Sequence, residues 1–201
     1  MTERPYHHGN LRRVLMDTAL AVVSERGPAA LSLREVARRA GVSHAAPAHH
    51  FTDKAGLLTA IAAEGWTLLA GALADTARTT SDFRELGVSY VVFAMTHQAH
   101  FAVMRTPGLV HTDDPDLATP REHAAVLLRA GAADPAGAPA ERGRVLGAWS
   151  LVHGLAVLLQ EGLVTPGPGQ DVETLARTVL FVPRPQEWAP VPPPPTGVAG
   201  A

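Results

Sequence analysis

The stretch from Leu31 to Leu58 constrains the fold more tightly than any other part of this chain. It reads L-S-L-R-E-V-A-R-R-A-G-V-S-H-A-A-P-A-H-H-F-T-D-K-A-G-L-L. Ser32 and Glu35 have the S-x-x-E spacing of a capping box, in which hydroxyl and carboxylate satisfy the orphan N–H groups at a helix start. A helix is expected from Leu33 to about Ala40, stopped by Gly41, a residue that accepts the left-handed backbone of a helix end. Ser43 can cap a further helix, from His44 to about His50. Pro47 sits four residues past that cap and removes a backbone donor, so this helix should begin irregularly or one or two residues late. Thr52 and Asp53 cap a longer helix with an apolar stripe through Leu57, Leu58, Ile61, Ala62, Leu69 and Leu73. Two short helices joined by a glycine turn can seat one helix in a DNA major groove. The same pattern also occurs in helical proteins that never meet DNA.

The remaining segments keep the helical period. Leu11, Val14, Leu15, Thr18, Ala19, Val22 and Val23 predict a first helix from about Asn10 to Glu25, ended at Gly27-Pro28. Phe83 to His100 is apolar nearly all round, as a buried helix is, and Phe101 to Met104 continues it or forms a separate turn. Val110 to Pro120 is expected to be a loop, Pro120 to Ala130 a helix, and Gly131 to Pro139 a second loop. Ala140 to Gly162 and Asp171 to Val182 give two more helices. From Pro183 onward there are seven prolines in 19 residues, the composition of a disordered tail. There is no strand-period segment and no internal repeat, so the expected class is all-α.

Several function classes find no support. No run of 18 apolar residues argues for a membrane span, and Met-Thr-Glu-Arg-Pro-Tyr-His-His lacks the apolar core of a secretion signal. The chain has no cysteine, hence no disulfide framework or thiolate metal site. A cytoplasmic protein is expected. No nucleophile–base motif, Gly-rich phosphate loop or dense carboxylate pair points to catalysis, so neither catalytic residues nor a cofactor are assigned. His97 and His100 share a helix face and could join Asp113 or Asp114 around zinc. Without an H-E-x-x-H or comparable motif, no metal site is assigned. Net charge is −2, but it is unevenly spread: residues 1–65 carry eight Lys/Arg against six Asp/Glu, the rest nine against thirteen. A basic N-terminal third on an acidic body suits a small DNA-binding unit attached to something else.

A recognition helix needs small or polar residues at its exposed start so that backbone and side chains can approach base edges. Ser43, His44, Ala45 and Ala46 meet that need; His44 and His49 can donate to base acceptors, and Ala45 and Ala46 can meet thymine methyl groups. Lys54, the only lysine, lies at a helix N-terminus where charge and free N–H groups favour phosphate. Arg4, on an arm before the first helix, could enter a minor groove.

Three motifs together, Y-H-H-G-N-L-R, L-S-L-R-E-V-A-R-R-A-G-V-S and H-H-F-T-D-K-A-G-L-L, resemble the N-terminal domain of TetR-type transcriptional regulators over roughly residues 6–66. The segment A-W-S-L-V-H-G-L-A resembles a C-terminal domain of that family marked by Trp149, His153 and Gly154. The resemblance implies a three-helix helix–turn–helix domain over 1–54 (the motif about 33–51), a helical effector-binding and dimerisation bundle over 55–182, and a Pro-rich tail over 183–201. It places Ser43 to His49 in the groove and His50 and Lys54 on phosphate, with Phe51 plugging the small core. Ser32, at the start of the preceding helix, completes the DNA-facing set. One residue departs from the family pattern: Ala48 stands where a tyrosine usually touches the DNA backbone.

The resemblance also implies a regulator, by default a repressor, that binds a palindromic operator as a homodimer and is released by a small effector. Large side chains on the middle helices supply candidate pocket residues: Trp66, Tyr90, Phe93, Met95, His97, Phe101, Met104, Trp149 and His153. Such linings suit small hydrophobic ligands, although the same residues also fill ordinary cores. Val145 to Leu159 carries only Ser150 and His153 as polar side chains, more apolar than one buried face requires. Gly147, Ala148 and Gly154 would let a second copy approach closely. A dimeric helical adaptor with a degenerate helix–turn–helix is the alternative, and Ala48 is its best support.

Overall fold

The computed structural model describes residues 8–131 and 142–181. Arg4, most of the expected 131–139 loop and the Pro-rich tail lie outside the described residues. Within them the chain forms nine α-helices and no strand: α1 (His8–Arg26), α2 (Leu33–Ala40), α3 (Ala48–Phe51), α4 (Lys54–Thr79), α5 (Phe83–Thr96), α6 (Gln98–Met104), α7 (Pro115–Gly131), α8 (Arg142–Gln160) and α9 (Val172–Leu180). The all-α class expected from the period is the observed one.

Two apolar cores share α4. The first gathers Leu15, Ala19 and Val22 of α1, Val36 of α2, Phe51 of α3, and Leu57, Leu58 and Ile61 from the first two turns of α4. The second gathers Leu69 and Leu73 from farther along α4, Val91 and Phe93 of α5, Leu155 and Leu159 of α8, and Ala176 of α9. By length and composition α4 could cross a bilayer, with a mean hydropathy of 1.5 over its best window. Here its apolar stripe is buried against α5, α6 and α7 and in the N-terminal core. Trp66 and Met104 touch both cores, and Val103 of α6 and Leu117 of α7 belong to the first. The N-terminal unit therefore rests directly on the body.

Local chemistry explains most helix ends. Ser32 Oγ accepts from Glu35 N–H at 3.3 Å, but the Glu35 carboxylate does not return to Ser32. Arg38 and Arg39 take it instead, at 2.9 and 2.7 Å, so the expected capping box closes on one side only. Gly41 ends α2 at φ 69°, its N–H and that of Val42 returning to the last turn of α2. Asp53, Asp82 and Asp171 cap α4, α5 and α9.

Three segments differ from the expectations. The helix expected over Phe83–His100 breaks at His97 (φ −120°, ψ 46°), and α6 starts anew at Gln98. Five residues assigned to a loop belong to α7, which begins at Pro115; Asp114 Oδ1 accepts from Asp116 N–H at 2.9 Å, and a proline at the first helical position has no N–H to waste. The helix expected from His44 starts at Ala48. Residues 43–47 wind through tighter turns, with Ala46 N–H to Ser43 O at 3.0 Å and Ala48 N–H to Ala45 O at 3.2 Å. Without an N–H, Pro47 cannot make the bond that would extend the α-helix back over this turn.

Candidate nucleic-acid interface and effector cavity

The turn and short helix after Gly41 present one face outward. Ser43, His44, Ala45, Ala48 and His49 are exposed, whereas Ala46 and His50 are half-buried. Pro47 is fully buried and Phe51 is 5 % exposed, so these two anchor the segment to the N-terminal core. The guanidinium of Arg12 lies 5.3 Å from the centre of the Phe51 ring. The corner behind α3 is tight. Thr52 adopts φ 60°, the one non-glycine with positive φ among the described residues. A Cβ on Gly56 would stand 2.1 Å from Phe51 O, so only glycine lets α4 start against the end of α3.

Charges in this unit are mostly paired. Arg39 donates to both Glu25 oxygens at 2.8 Å and to Glu35 at 2.7 Å, locking α2 to the end of α1. Arg38 and Arg39 hold the Glu35 carboxyl down at about 2 through their hydrogen bonds. Arg13 pairs with Asp17 and Glu64. Lys54 Nζ donates to Ala29 O at 2.7 Å, leaving two of its three N–H groups. Ser32 is exposed but spends its hydroxyl on the α2 cap. Arg34, exposed on α2 with no ion pair among the described residues, is a cation that pattern reading passed over.

Besides the shared apolar contacts, two polar contacts tie this unit to the body. Arg13 Nη1 donates to Glu64 Oε1 at 2.5 Å, and the other Glu64 oxygen faces His100 Nε2 of α6 at 3.7 Å. Both facing atoms are buried without a hydrogen-bond partner. Burial lowers the His100 pKa, with Glu64 working in the opposite direction. In the second contact, His111 N–H donates to Thr59 Oγ1 at 2.8 Å, and the His111 ring meets Asp53, the α4 cap, at 3.2 Å.

A cavity of about 1210 Å³ opens in the body between α5, α7 and α8. Trp66, Tyr90 and Trp149 of the candidate pocket residues line it, together with Phe83, Val152 and Leu180. Phe93, Met95, His97, Phe101, Met104 and His153 do not. Phe93 is core and stacks on His97 at 4.8 Å. Phe101 is core too, edge-on to Tyr90 at 5.9 Å, and Met95 and Met104 pack against the second core. His153 backs the wall, its Nδ1 hydrogen-bonded to the Tyr90 hydroxyl at 2.9 Å. Burial pushes the Tyr90 phenol up to about 12, so it stays protonated at neutral pH. Four arginines also line the cavity: Arg84, Arg121, Arg129 and Arg144. Bulk and apolarity do not single them out; in the sequence they stand at helical spacing among apolar neighbours, as in Arg121, Ala125, Leu128 and Arg129. Among the described residues no group of three or more His, Asp or Glu side chains could hold a metal ion.

Along α8, Gly147, Leu151, Gly154 and Leu158 form one stripe at spacings of four, three and four, whose first two residues also line the cavity. Leu151 is 49 % exposed and Leu158 40 %. A Cβ on either glycine would meet nothing within 4 Å.

A helix–turn–helix unit packed on a helical body is an architecture that can present a short helix to a DNA groove. Comparison with known proteins agrees. Residues 15–61 match the model for bacterial regulatory proteins of the tetR family, and residues 83–181 match a tetracyclin repressor-like C-terminal domain. The chain belongs to the TetR family of transcriptional regulators. It is similar to the HTH-type transcriptional regulator BetI of Serratia proteamaculans, 47% identical over 49 residues; that match covers 24% of this chain and 25% of the relative. A protein of unknown function from Rhodococcus sp. RHA1 is 34% identical, with a TM-score of 0.68 over 89% of this chain and 98% of that one. The TetR family regulator PfmR from Thermus thermophilus shares the fold at 19% identity, with a TM-score of 0.60 over 83% and 94%.

Proposed function

We propose that this chain is a repressor that binds a palindromic operator as a homodimer and lets go when a small molecule enters the body. The observation that carries this reading is the segment after Gly41: Pro47 and Phe51 are buried, while Ser43, His44, Ala45, Ala48 and His49 face outward. These five read the groove, with Ala46 at its edge. His50, Lys54, Ser32 and Arg34 border it on the phosphate side, and Arg4 serves as the minor-groove arm. The protein acts in the cytoplasm, where its DNA is.

The stripe on α8 supports the dimer. Exposed leucines alternate with glycines that allow close helix approach, and Trp149, His153 and Gly154 on the same helix support a body of the Trp-His-Gly type. Two copies joined there present two recognition segments to successive major grooves, about 34–36 Å apart. Replacing Leu151 and Leu158 together by arginine should give a monomer in sedimentation and weaken operator binding at least about tenfold. A double variant that stays dimeric would put the interface elsewhere.

Release is a population shift, and an effector can move it only by its preference for the released geometry. The joint that transmits it is α6 against α1 and α4. Tyr90 of the cavity wall packs on Phe101 of α6. Next to Phe101 on α6, His100 faces the Glu64 carboxylate that holds Arg13. A shift of α6 would change what Glu64 offers α1, and with it the set of the recognition segment. The test is a gel shift with DNA flanking the gene at two salt concentrations. Phosphate contacts require binding that falls steeply with salt, and the absence of any sequence-specific shift would favour a dimeric adaptor.

A further inference from the structure

We infer that the effector of this protein is an organic acid, a carboxylate head on an apolar body. The inference rests on reading the helical body as the effector domain. It comes from the sign of the charges around the cavity. Among the described residues every charged one lining it is an arginine: Arg84 at the start of α5, Arg121 and Arg129 two turns apart on α7, and Arg144 at the start of α8. Among the described residues no aspartate or glutamate lines it. The wall between them is apolar and aromatic, and at Tyr90 the cavity meets a protonated hydroxyl tied to His153.

Arg84 and Arg129 are paired with carboxylates that do not line the cavity. Asp82 takes Nε and one Nη of Arg84, and Glu122 takes one Nη of Arg129. Each guanidinium has five N–H donors in a planar fork, so donors remain for a second carboxylate. Arg121 has no ion pair among the described residues.

The aromatic side chains Trp66, Phe83, Tyr90 and Trp149 raise the opposite possibility, a quaternary ammonium ligand held over ring faces. The charges decide against it. Among the described residues a cation here would meet Arg84, Arg121 and Arg129 with no lining carboxylate, whereas an acid gains from the same field. The volume, about 1210 Å³, exceeds that of common drug-sized pockets and admits an extended or branched body.

Trp66 and Trp149 line the cavity, so tryptophan fluorescence of the full chain reads its occupancy. The chain would be titrated with dodecanoate and 4-phenylbutyrate, and with dodecyltrimethylammonium and dodecanol as controls of matched body. At least one carboxylate should saturate the signal below about 1 mM and bind at least about tenfold tighter than the ammonium. The double variant Arg121→Gln/Arg129→Gln changes two surface side chains and should melt within a few degrees of the parent. It should bind the carboxylate about tenfold more weakly and leave dodecanol unchanged. Tighter or equal binding of the ammonium, an unaffected double variant, or no saturable carboxylate binding would each overturn the inference. The same chain is tested against duplexes that it selects from a random pool. If it binds DNA yet fails the carboxylate test, the regulator reading stands and only the effector class is wrong. If it binds no duplex, the regulator reading fails independently of the titration.

Discussion

Adding one methyl group at Gly56 should unsettle the recognition segment, while adding it at Gly71 in the same helix should do the reverse. A Cβ at Gly56 would lie 2.1 Å from Phe51 O, a backbone atom with no rotamer to escape into. Relief needs a backbone shift of about 1 Å between the end of α3 and the start of α4, and forced repacking of this kind typically costs about 1–3 kcal/mol. Alanine returns about 0.5–1 kcal/mol in a helix interior, so the net loss is at most about 2.5 kcal/mol and centres near 1 kcal/mol. For a chain of this size a loss of about 1 kcal/mol lowers the melting temperature by roughly 2–4 °C. Gly71 is exposed, with nothing within 4 Å of its would-be Cβ, so Gly71→Ala should gain about 0.5–1 kcal/mol. Thermal melting by circular dichroism measures both. Gel shift with a selected operator should show Gly56→Ala weakened beyond its loss of stability, because Phe51 anchors the segment proposed to read DNA. A Gly56→Ala protein that melts with or above the parent, or a Gly71→Ala protein that falls as far, would refute the steric account of this corner.

Other consequences are open to measurement. Ala48→Tyr should strengthen operator binding, by about threefold to tenfold for one phosphate hydrogen bond plus packing; unchanged affinity would mean that the contact is made elsewhere or not needed. Lys54→Met should reduce the slope of log affinity against log salt by about one, and should lower stability by about 0.5–1.5 kcal/mol through the lost bond to Ala29 O. Burial lowers the His100 pKa below its ordinary value near 6.5. The unfolded chain therefore binds more protons just below that pH, and stability should fall as pH drops from about 6.5 toward the depressed value. His100→Gln should flatten that fall in urea titrations between about pH 6.5 and 5; an identical pH profile would show that His100 does not contribute.

The sequence is most readable where backbone chemistry is local. Gly41, Ser32 and Asp53 announce helix ends through their own conformational and hydrogen-bonding preferences, and the stripe of α4 from Leu57 to Leu73 is buried as its period implies. Reading fails where a residue's role depends on something distant. The S-x-x-E spacing puts the Glu35 carboxylate on its own helix start, but two arginines outbid one backbone N–H. Pro47 on its own predicts a delay of one or two residues in α3; it converts the whole 43–47 turn, because the missing donor lies where the first intrahelical bond would form. Pro120 reads as a helix start only while Pro115, a better one, is placed in a loop. Bulk is a poor guide to cavity residues, since it draws in Phe93 and Phe101, which belong to the core. The arginines at the cavity and the Arg13–Glu64–His100 joint are set by packing between elements far apart in sequence, where no local pattern reports them.

The central claim is that two copies of the segment after Gly41 read one DNA site together. The most direct measurement is to let the full chain select duplexes from a random pool and to footprint it on the winner. The account predicts a two-fold symmetric site whose half-site centres lie about one helical turn, or a multiple of it, apart, bound by two chains. Selection of no sequence, or a single asymmetric half-site occupied by one chain, would contradict it.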